Sequence, residues 1–198
     1  MARPRKDQGG PSARERIEQA YWETLAEKPL SEMSVREIAE RARVNHNTFY
    51  YHYANVEDVA EKALLSSTAK QVANMLQAVA ASGRIEAEGV FMGEEAETAY
   101  ARIRLVLRNG TTELIAFSKA EVFRRWLSNL GLAEDDLSED DGARLEFAWG
   151  GLTSLICCEA APTYEKYLRL LGGGIADAAG ELLRQMLKAH GKQAGASA

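Results

Sequence analysis

The sequence predicts an all-α protein. Apolar residues recur three and four positions apart along most of the chain, which places them on one face of a helix. Capping residues begin these periodic segments, and glycine or proline ends many of them. No segment shows the alternation expected of a β-strand. The 198 residues, of which 46% are hydrophobic and 27% charged, suffice for a globular core in one or two domains.

Composition and spacing argue against several classes of protein. We expect no membrane span and no secretory signal, because no apolar run approaches ~18 residues and the first residues are polar. Cys157 and Cys158 are adjacent, which favours small buried residues in a reducing cytoplasm over a disulfide scaffold. His46, His52 and His190 are too scattered for a standard metal site. Without a catalytic or nucleotide-binding motif, no enzyme and no cofactor are predicted.

The first helix is predicted over residues 12–28. Ser12 followed by Glu15 is the pattern of a capping box, and Pro29 ends the helix because proline disfavours helical geometry in the residue before it. Residues 1–11 contain three basic residues, two prolines and two glycines, so we expect a flexible basic arm. Such an arm either enters the minor groove of DNA or is simply a solvated chain end.

Two short helices are predicted between Ser34 and Tyr53. Ser34 with Glu37 forms a second capping-box pattern, and Asn45 can cap the next helix through its side-chain oxygen. The few residues between them match the length of a helix-turn-helix connection. The exposed side of the second helix carries asparagine, histidine, threonine and tyrosine without an acidic residue. Since an α-helix fits the major groove of B-DNA, this face is a candidate DNA-binding surface.

The segment VREIAERARVNHNTFYYHYANVEDV resembles the DNA-binding domain of the TetR/AcrR family of bacterial transcriptional regulators, over residues 12–65. The resemblance implies an N-terminal three-helix helix-turn-helix domain, joined by a long helix to a C-terminal helical ligand-binding and dimerisation domain. The corresponding boundaries are 1–54 for the DNA-binding domain and 55–198 for the effector-binding and dimerisation domain. It further implies a cytoplasmic homodimer that represses transcription until a small molecule releases it from its operator.

The side chains expected to contact DNA lie on this motif. They are Arg36, Asn45, His46, Asn47, Thr48, Tyr50, Tyr51 and His52. The asparagines can pair bidentately with adenine, the first histidine can donate to guanine, and the threonine methyl suits the thymine methyl. The tyrosines and the second histidine can reach phosphates, which fix register without reading sequence. The resemblance implies a phosphate contact for Tyr50, whereas we expect Tyr53 in the core.

Two positions depart from the family pattern. Arg43 stands where the turn usually has glycine, so either the arginine adopts a left-handed conformation or the turn differs locally. It could also supply a phosphate contact. Val56 stands where the family usually has a lysine that contacts phosphate, so one such contact is expected to be missing.

The net charge of −5 does not decide whether the chain binds DNA. Residues 1–53 hold nine Lys/Arg against eight Asp/Glu, which leaves +1 there and −6 on the remainder. The polarity is that of a nucleic-acid-binding N-terminal part, but the excess is small. A helical interaction or effector-binding protein that has lost operator binding is therefore the alternative.

The remainder of the chain is predicted to be helical with glycine-rich or acidic connections. A long fourth helix should begin at Asn55 and bridge to the second domain, and residues 133–142 should form an acidic, solvated connector. Gly150 and Gly151 lie inside a helix, where they suit a close backbone contact or a bend. The predicted helices are 55–81, 94–108, 111–118, 119–130, 143–159, 163–171 and a last helix from the glycine triplet 172–174 to residue 190.

The second domain should hold an effector pocket and a dimer interface. A small apolar or amphipathic effector would contact aromatic and methionine side chains, although these also fill ordinary cores. The candidate pocket residues are Met75, Tyr100, Phe117, Phe123, Trp126, Phe147 and Trp149, and Met92 belongs to the same group of aromatic and methionine side chains. The candidate interface residues, on two helices that would pair as a four-helix interface, are Leu145, Leu152, Ile156, Ile175, Ala179, Leu182, Leu183 and Met186.

Overall fold

The computed structural model describes residues 10–82, 93–158 and 163–191, and within these ranges the chain is helical without a β-strand. The all-α prediction is confirmed. The helices are α1 Ala13–Glu27, α2 Val35–Arg41, α3 His46–His52, α4 Val56–Ala63, α5 Ala69–Ser82, α6 Glu94–Asn109, α7 Thr112–Asn129, α8 Glu139–Cys157, α9 Tyr164–Leu170 and α10 Ala176–Ala189. Short 3-10 turns lie at Leu30–Glu32 and Glu134–Asp136, and π turns lie at Leu64–Thr68 and Leu171–Ile175.

Helices α1 to α4 form the headpiece. The predicted capping box at Ser12 is present, since its side chain accepts from the Glu15 backbone and Glu15 reaches back to the Ser12 N–H. Ser34 caps α2, but Glu37 pairs instead with Lys28, 2.6 Å away. The core between the four helices contains the fully buried side chains of Ile17, Tyr21, Leu25, Ile38, Phe49 and Val59.

The predicted fourth helix begins with Asn55 as its cap and follows a helical path to Ser82, but it is not a uniform α-helix. The π turn Leu64–Thr68 separates α4 from α5. Its residues include no glycine or proline, so nothing in the sequence signals the wider turn. The hydroxyl of Thr68 is buried there without a hydrogen-bond partner among the described residues. Helix α4 packs in the headpiece core, whereas α5 packs in the second part.

Two predicted helix boundaries in the second part are wrong. The two helices predicted over 111–118 and 119–130 are one helix, α7 (Thr112–Asn129), because Ser118 donates its hydroxyl to the Ile115 carbonyl and lies within the helix. Helix α8 begins at Glu139 rather than at residue 143, because Ser138 and Asp141 form a capping box inside the predicted acidic connector. The carboxylates of the α8 first turn are therefore placed where the helix dipole favours negative charge.

The second part packs its helices around α5. Helix α5 lies against α7 and α10, and α10 also lies against α8. The core of this bundle contains Trp126, Leu127, Leu171, Leu183 and Met186. No helix in the described ranges is long and apolar enough to cross a membrane.

The headpiece is joined to the second part by more than the α4–α5 connection. Val106 of α6 and Leu114 of α7 are buried in the headpiece core. The Asn109 side chain donates a hydrogen bond to the Leu25 carbonyl over 2.7 Å, and the Arg102 guanidinium lies 5.1 Å from the centre of the Trp22 ring. A displacement of α6 would therefore act directly on α1, and a displacement of α7 would act on α4.

Candidate nucleic-acid interface

The turn between α2 and α3 closes through a Schellman motif. The Arg43 N–H donates to Glu40 and the Val44 N–H to Ala39, so the last carbonyls of α2 are satisfied. This motif requires a left-handed residue at position 43, and Arg43 has a φ of 54°. The left-handed alternative is thus the one the chain adopts, at a cost of about 1–2 kcal/mol for a non-glycine residue.

Two aromatic side chains hold α3 against the other helices of the headpiece. Phe49 and Tyr53 are buried, and the Tyr53 hydroxyl donates to Glu18 over 2.7 Å. The expectation that Tyr53 belongs to the core is confirmed. The Lys62 ammonium lies 5.2 Å from the centre of the same ring. These contacts fix which face of α3 is exposed.

The exposed face of α3 carries the predicted DNA contacts. Asn45, His46 and Asn47 are exposed at its N-terminal end, while Thr48 and His52 are half-buried. Tyr50 is 53% exposed and Tyr51 is 84% exposed, so both rings are free to meet a ligand. The candidate contacts of this helix therefore lie on its solvent side, with Thr48 and His52 at the margin of the buried face.

The two asparagines of this surface differ in what they can still bind. The side-chain oxygen of Asn45 accepts a hydrogen bond from the Thr48 N–H over 2.8 Å, as the predicted cap requires. Bidentate pairing with adenine needs that oxygen, so Asn45 could pair in this way only by giving up the cap. Asn47 makes no hydrogen bond to another described residue, and its carboxamide keeps both donor and acceptor.

Most cations of the headpiece are paired with carboxylates. Arg36 lies 2.8 Å from Glu40, Arg41 lies 2.6 Å from Glu27, and Lys28 and Lys62 have similar partners. Arg36 and Glu40 are both largely exposed, so this pair contributes little and Arg36 can exchange its partner for a phosphate. Val56 is buried in the headpiece core, so it offers nothing to DNA.

Residues 19–66 match the family model described as bacterial regulatory proteins, tetR family. The headpiece is that of a TetR-family regulator. The match spans α2, the turn, α3 and α4, which are the elements that present the surface described above. The chain is thus a DNA-binding transcriptional regulator of the helix-turn-helix type. Comparisons with curated proteins and with solved structures gave no significant match.

The second part of the regulator contains an apolar cavity between α5, α6, α8 and α9. Three of the predicted pocket residues, Met75, Tyr100 and Trp149, line it. The space inside the cavity that a water-sized molecule could occupy measures only about 40 Å³. Its other walls are Val72, Leu76, Val79, Ile103, Leu152, Thr153, Ile156, Tyr167 and Leu171, none of which is among the predicted pocket residues, while Leu152 and Ile156 are predicted for the dimer interface.

The remaining predicted pocket residues lie elsewhere. Phe117 packs against the headpiece core, and Trp126 is buried with its indole N–H donating to Gln77. Phe123 stands edge-on to the Trp149 ring in the core and does not itself line the cavity. Phe147 is 74% exposed, so its placement in a pocket is wrong. Met92 lies outside the described residues.

Most of the predicted dimer residues are unavailable to a partner. Leu145, Leu152, Ile156, Ala179, Leu183 and Met186 are buried within the subunit's own core. The apolar stripes of α8 and α10 cover each other and α5, which leaves only Ile175 exposed and Leu182 half-exposed among the predicted set.

A different face of α8 and α10 is open. It is defined here as the open face, and its residues are Ala143, Phe147, Gly150, Gly151, Ser154, Ile175, Ala178 and Leu182. A Cβ added to Gly150 or Gly151 would meet no described atom within 4 Å, so the close backbone contact offered as one explanation of these glycines does not arise within the described part of the subunit.

Two other groups do not form chemical sites. Cys157 and Cys158 are free thiols at the end of α8, and burial raises the pKa of the Cys157 thiol, which opposes thiolate chemistry. Both are half-buried rather than buried. No cluster of potential metal ligands occurs in the part of the chain that the structure describes.

Proposed function

We propose that this regulator binds an operator as a homodimer, reads bases through α3, and represses transcription until a small apolar molecule releases it. The observation that carries the proposal is the exposed, non-acidic face of α3 with the unpaired carboxamide of Asn47 at its N-terminal end. A recognition helix contacts bases through the side chains of its first turns, which is where Asn47 lies.

The side chains of α3 divide into base readers and phosphate contacts. Asn47 can accept and donate at the same time, as pairing with the N6 and N7 positions of adenine requires. His46 has its ring centre 5.3 Å from that of Tyr50, an edge contact that orients both rings. Tyr50, Tyr51 and His52 lie further along the helix, where hydroxyl and imidazole groups can reach phosphates on the rim of the groove.

The test of base reading compares two substitutions on specific and random DNA. Operator fragments are first selected from the genome of the source, and affinity is then measured by fluorescence anisotropy. Asn47→Ala should cost about 1–3 kcal/mol on the operator and relax preference at one base pair. Tyr50→Phe should weaken binding to both DNAs by a similar factor, because a phosphate contact is independent of sequence.

A matched control removes the same carboxamide from outside the headpiece. Asn74→Ala on α5 should leave both affinities unchanged. Equal losses on operator and random DNA for Asn47→Ala would contradict base reading by this residue. A wild-type chain without salt-dependent DNA binding would favour the alternative, a helical interaction or effector-binding protein, which the pairing of most headpiece cations also favours.

We further propose that the dimer forms through the open face of α8 and α10. Phe147 is a large apolar side chain exposed to water one turn from the two glycines, whose surface has room for a ring. On a two-fold axis the phenyl ring of each subunit would fill the glycine surface of the other, with Ile175 and Leu182 at the margin. One headpiece contacts one half-site, so a dimer supplies the second.

The proposed effector is a small, neutral, largely apolar molecule. The cavity wall contains no charged side chain among its lining residues, and Thr153 and two tyrosines supply its few polar atoms. A charged ligand would lose its hydration without gaining a partner there. Ligand pockets usually measure about 300–1,000 Å³, so the walls must move apart to admit one. This movement is what would couple binding to the headpiece.

A further inference from the structure

Arg43 occupies a position where glycine would fit better. Its left-handed backbone, with φ at 54°, is strained for any residue that carries a Cβ. The Schellman hydrogen bonds that hold the turn involve backbone atoms alone, so they do not depend on the arginine side chain.

The side chain of Arg43 does nothing for the fold that offsets this strain. It is exposed, and it makes no hydrogen bond, ion pair or ring contact with another described residue. Backbone strain that no packing explains is found preferentially at functional positions. The side chain of Arg43 is therefore available to a partner outside the subunit.

The charges of the headpiece set Arg43 apart. The cations of α1 to α4 are engaged: five face carboxylates, and Arg16 donates to the carbonyls of Ala42 and Pro11. Among the lysines and arginines of the described headpiece, Arg43 alone has neither a carboxylate nor a carbonyl partner. It can contact an anion without first breaking an interaction.

The position of Arg43 indicates which anion this is. It lies two residues before Asn45, the cap of the helix proposed to enter the major groove. The surface groove next to it is lined by Arg16 and Arg41 but also by Glu15 and Glu23, so the free positive charge at this place is that of Arg43 itself. The backbone that borders the major groove carries phosphates, and arginine binds phosphate bidentately.

We propose that Arg43 binds a backbone phosphate of the operator, and that this contact is the reason for a strained arginine in the turn. The inference rests on the proposed function, since it requires that α3 enters DNA. It adds a residue that secures affinity in general and does not read sequence.

The test uses the fact that glycine removes strain and charge together. Arg43→Gly should raise the thermal midpoint of unfolding, since glycine adopts the left-handed conformation freely. The same variant should bind operator and random DNA about fivefold more weakly for each headpiece at ~0.15 M salt, because one counterion fewer is released. The slope of log affinity against log salt should fall by about 0.9 for each headpiece.

Two further variants complete the experiment. Arg43→Lys should keep most of the salt slope, because it keeps the charge. Arg169→Gln removes an exposed charge from α9 and should change neither affinity nor slope. Arg43→Gly with the affinity and slope of the wild type would overturn the inference while leaving the proposed function intact. A wild-type chain that binds no DNA would overturn both.

Discussion

At the residue scale, Asp141 joins two helices through one carboxylate. Its side chain is only 3% exposed and accepts hydrogen bonds from the Ser138 N–H and hydroxyl at the start of α8. The His190 ring nitrogen at the end of α10 lies 3.1 Å from the same oxygen. The Ser138 hydrogen bonds, and after them His190, hold the pKa of the Asp141 carboxyl below its usual value against the opposing effect of burial.

The lowered pKa of Asp141 predicts how stability depends on pH. A carboxyl with a lower pKa in the folded than in the unfolded state stabilises the fold above about pH 4. This contribution is lost as the pH falls through the folded-state pKa. Asp141→Asn should therefore lower the free energy of unfolding by about 1–2 kcal/mol at neutral pH, and the difference from wild type should shrink in acid.

The measurement is urea denaturation at pH 7, 5, 4 and 3. Asp140→Asn is the matched control, because this neighbouring carboxylate is 87% exposed and its nearest cation lies 4.0 Å away. It should have little effect at any pH. A loss for Asp141→Asn that stays constant from pH 7 to pH 3 would contradict the ionic explanation.

Predictions at single residues succeeded where the interaction is local. Ser12, Asn45 and Asn55 cap their helices as the sequence predicts, because a cap bonds to a backbone group three residues away. The contact between Asp141 and His190 joins residues 49 apart and exists only through tertiary packing, so no sequence pattern could indicate it. Arg43 is an intermediate case. The sequence shows an arginine where the family usually has glycine, and the structure shows that this arginine adopts the left-handed conformation.

At the element scale, the existence of helices was predictable but some of their boundaries were not. Helix α6 ends at Gly110, as the glycine predicts. A larger residue would not fit there, because a Cβ would lie 2.4 Å from the Val106 carbonyl oxygen. No comparable signal separates residues 118 and 119, and the predicted break there is wrong. The π turn at Leu64–Thr68 was also missed, since its residues are compatible with an ordinary α-helix.

Helical periodicity shows that one face is covered, but not by what. The sequence predicts that the stripe of α10 with Leu183 and Met186 meets a partner subunit, whereas in the structure this stripe covers the subunit's own core. Phe147 shows the opposite error. Because phenylalanine is more often buried, the sequence predicts it in a pocket, whereas the structure exposes it. Only the three-dimensional arrangement of the neighbouring helices separates these cases.

At the scale of the whole molecule, the open face predicts the assembly state. Phe147→Glu should convert the proposed dimer into monomers, because two carboxylates would enter an apolar contact. If the subunit folds without its partner, its thermal midpoint of unfolding should change little, since Phe147 packs on little of its own chain. Sedimentation equilibrium across a range of concentrations measures the change.

The control for the assembly state is a conservative substitution at the same position. Phe147→Leu keeps an apolar side chain and should remain dimeric. The monomeric variant should also lose most of its operator affinity, because each headpiece then binds a half-site alone. An unchanged dimer for Phe147→Glu would reject the open face as the interface.

One of the connections between the cavity and the headpiece is the helical path through α5 and α4. Val72, Met75 and Val79 of α5 form a cavity wall, and the path continues through the π turn into α4, where Val59 and Ala63 are buried in the headpiece core. A ligand that needs several hundred Å³ must displace α5 from α6 or α8, because the cavity leaves about 40 Å³. The displacement would reach α4 and change the spacing of the two headpieces in a dimer.

This coupling predicts a reciprocal effect of operator and ligand. A differential free energy of about 1–3 kcal/mol would lower operator affinity 5- to 150-fold, and the operator must then weaken ligand binding by the same factor. A neutral apolar ligand found by thermal-shift screening is titrated by calorimetry into the protein, with and without saturating operator. Met75→Trp, which fills the cavity, should abolish ligand binding. Equal ligand affinities with and without operator would show that the occupied cavity does not regulate DNA binding.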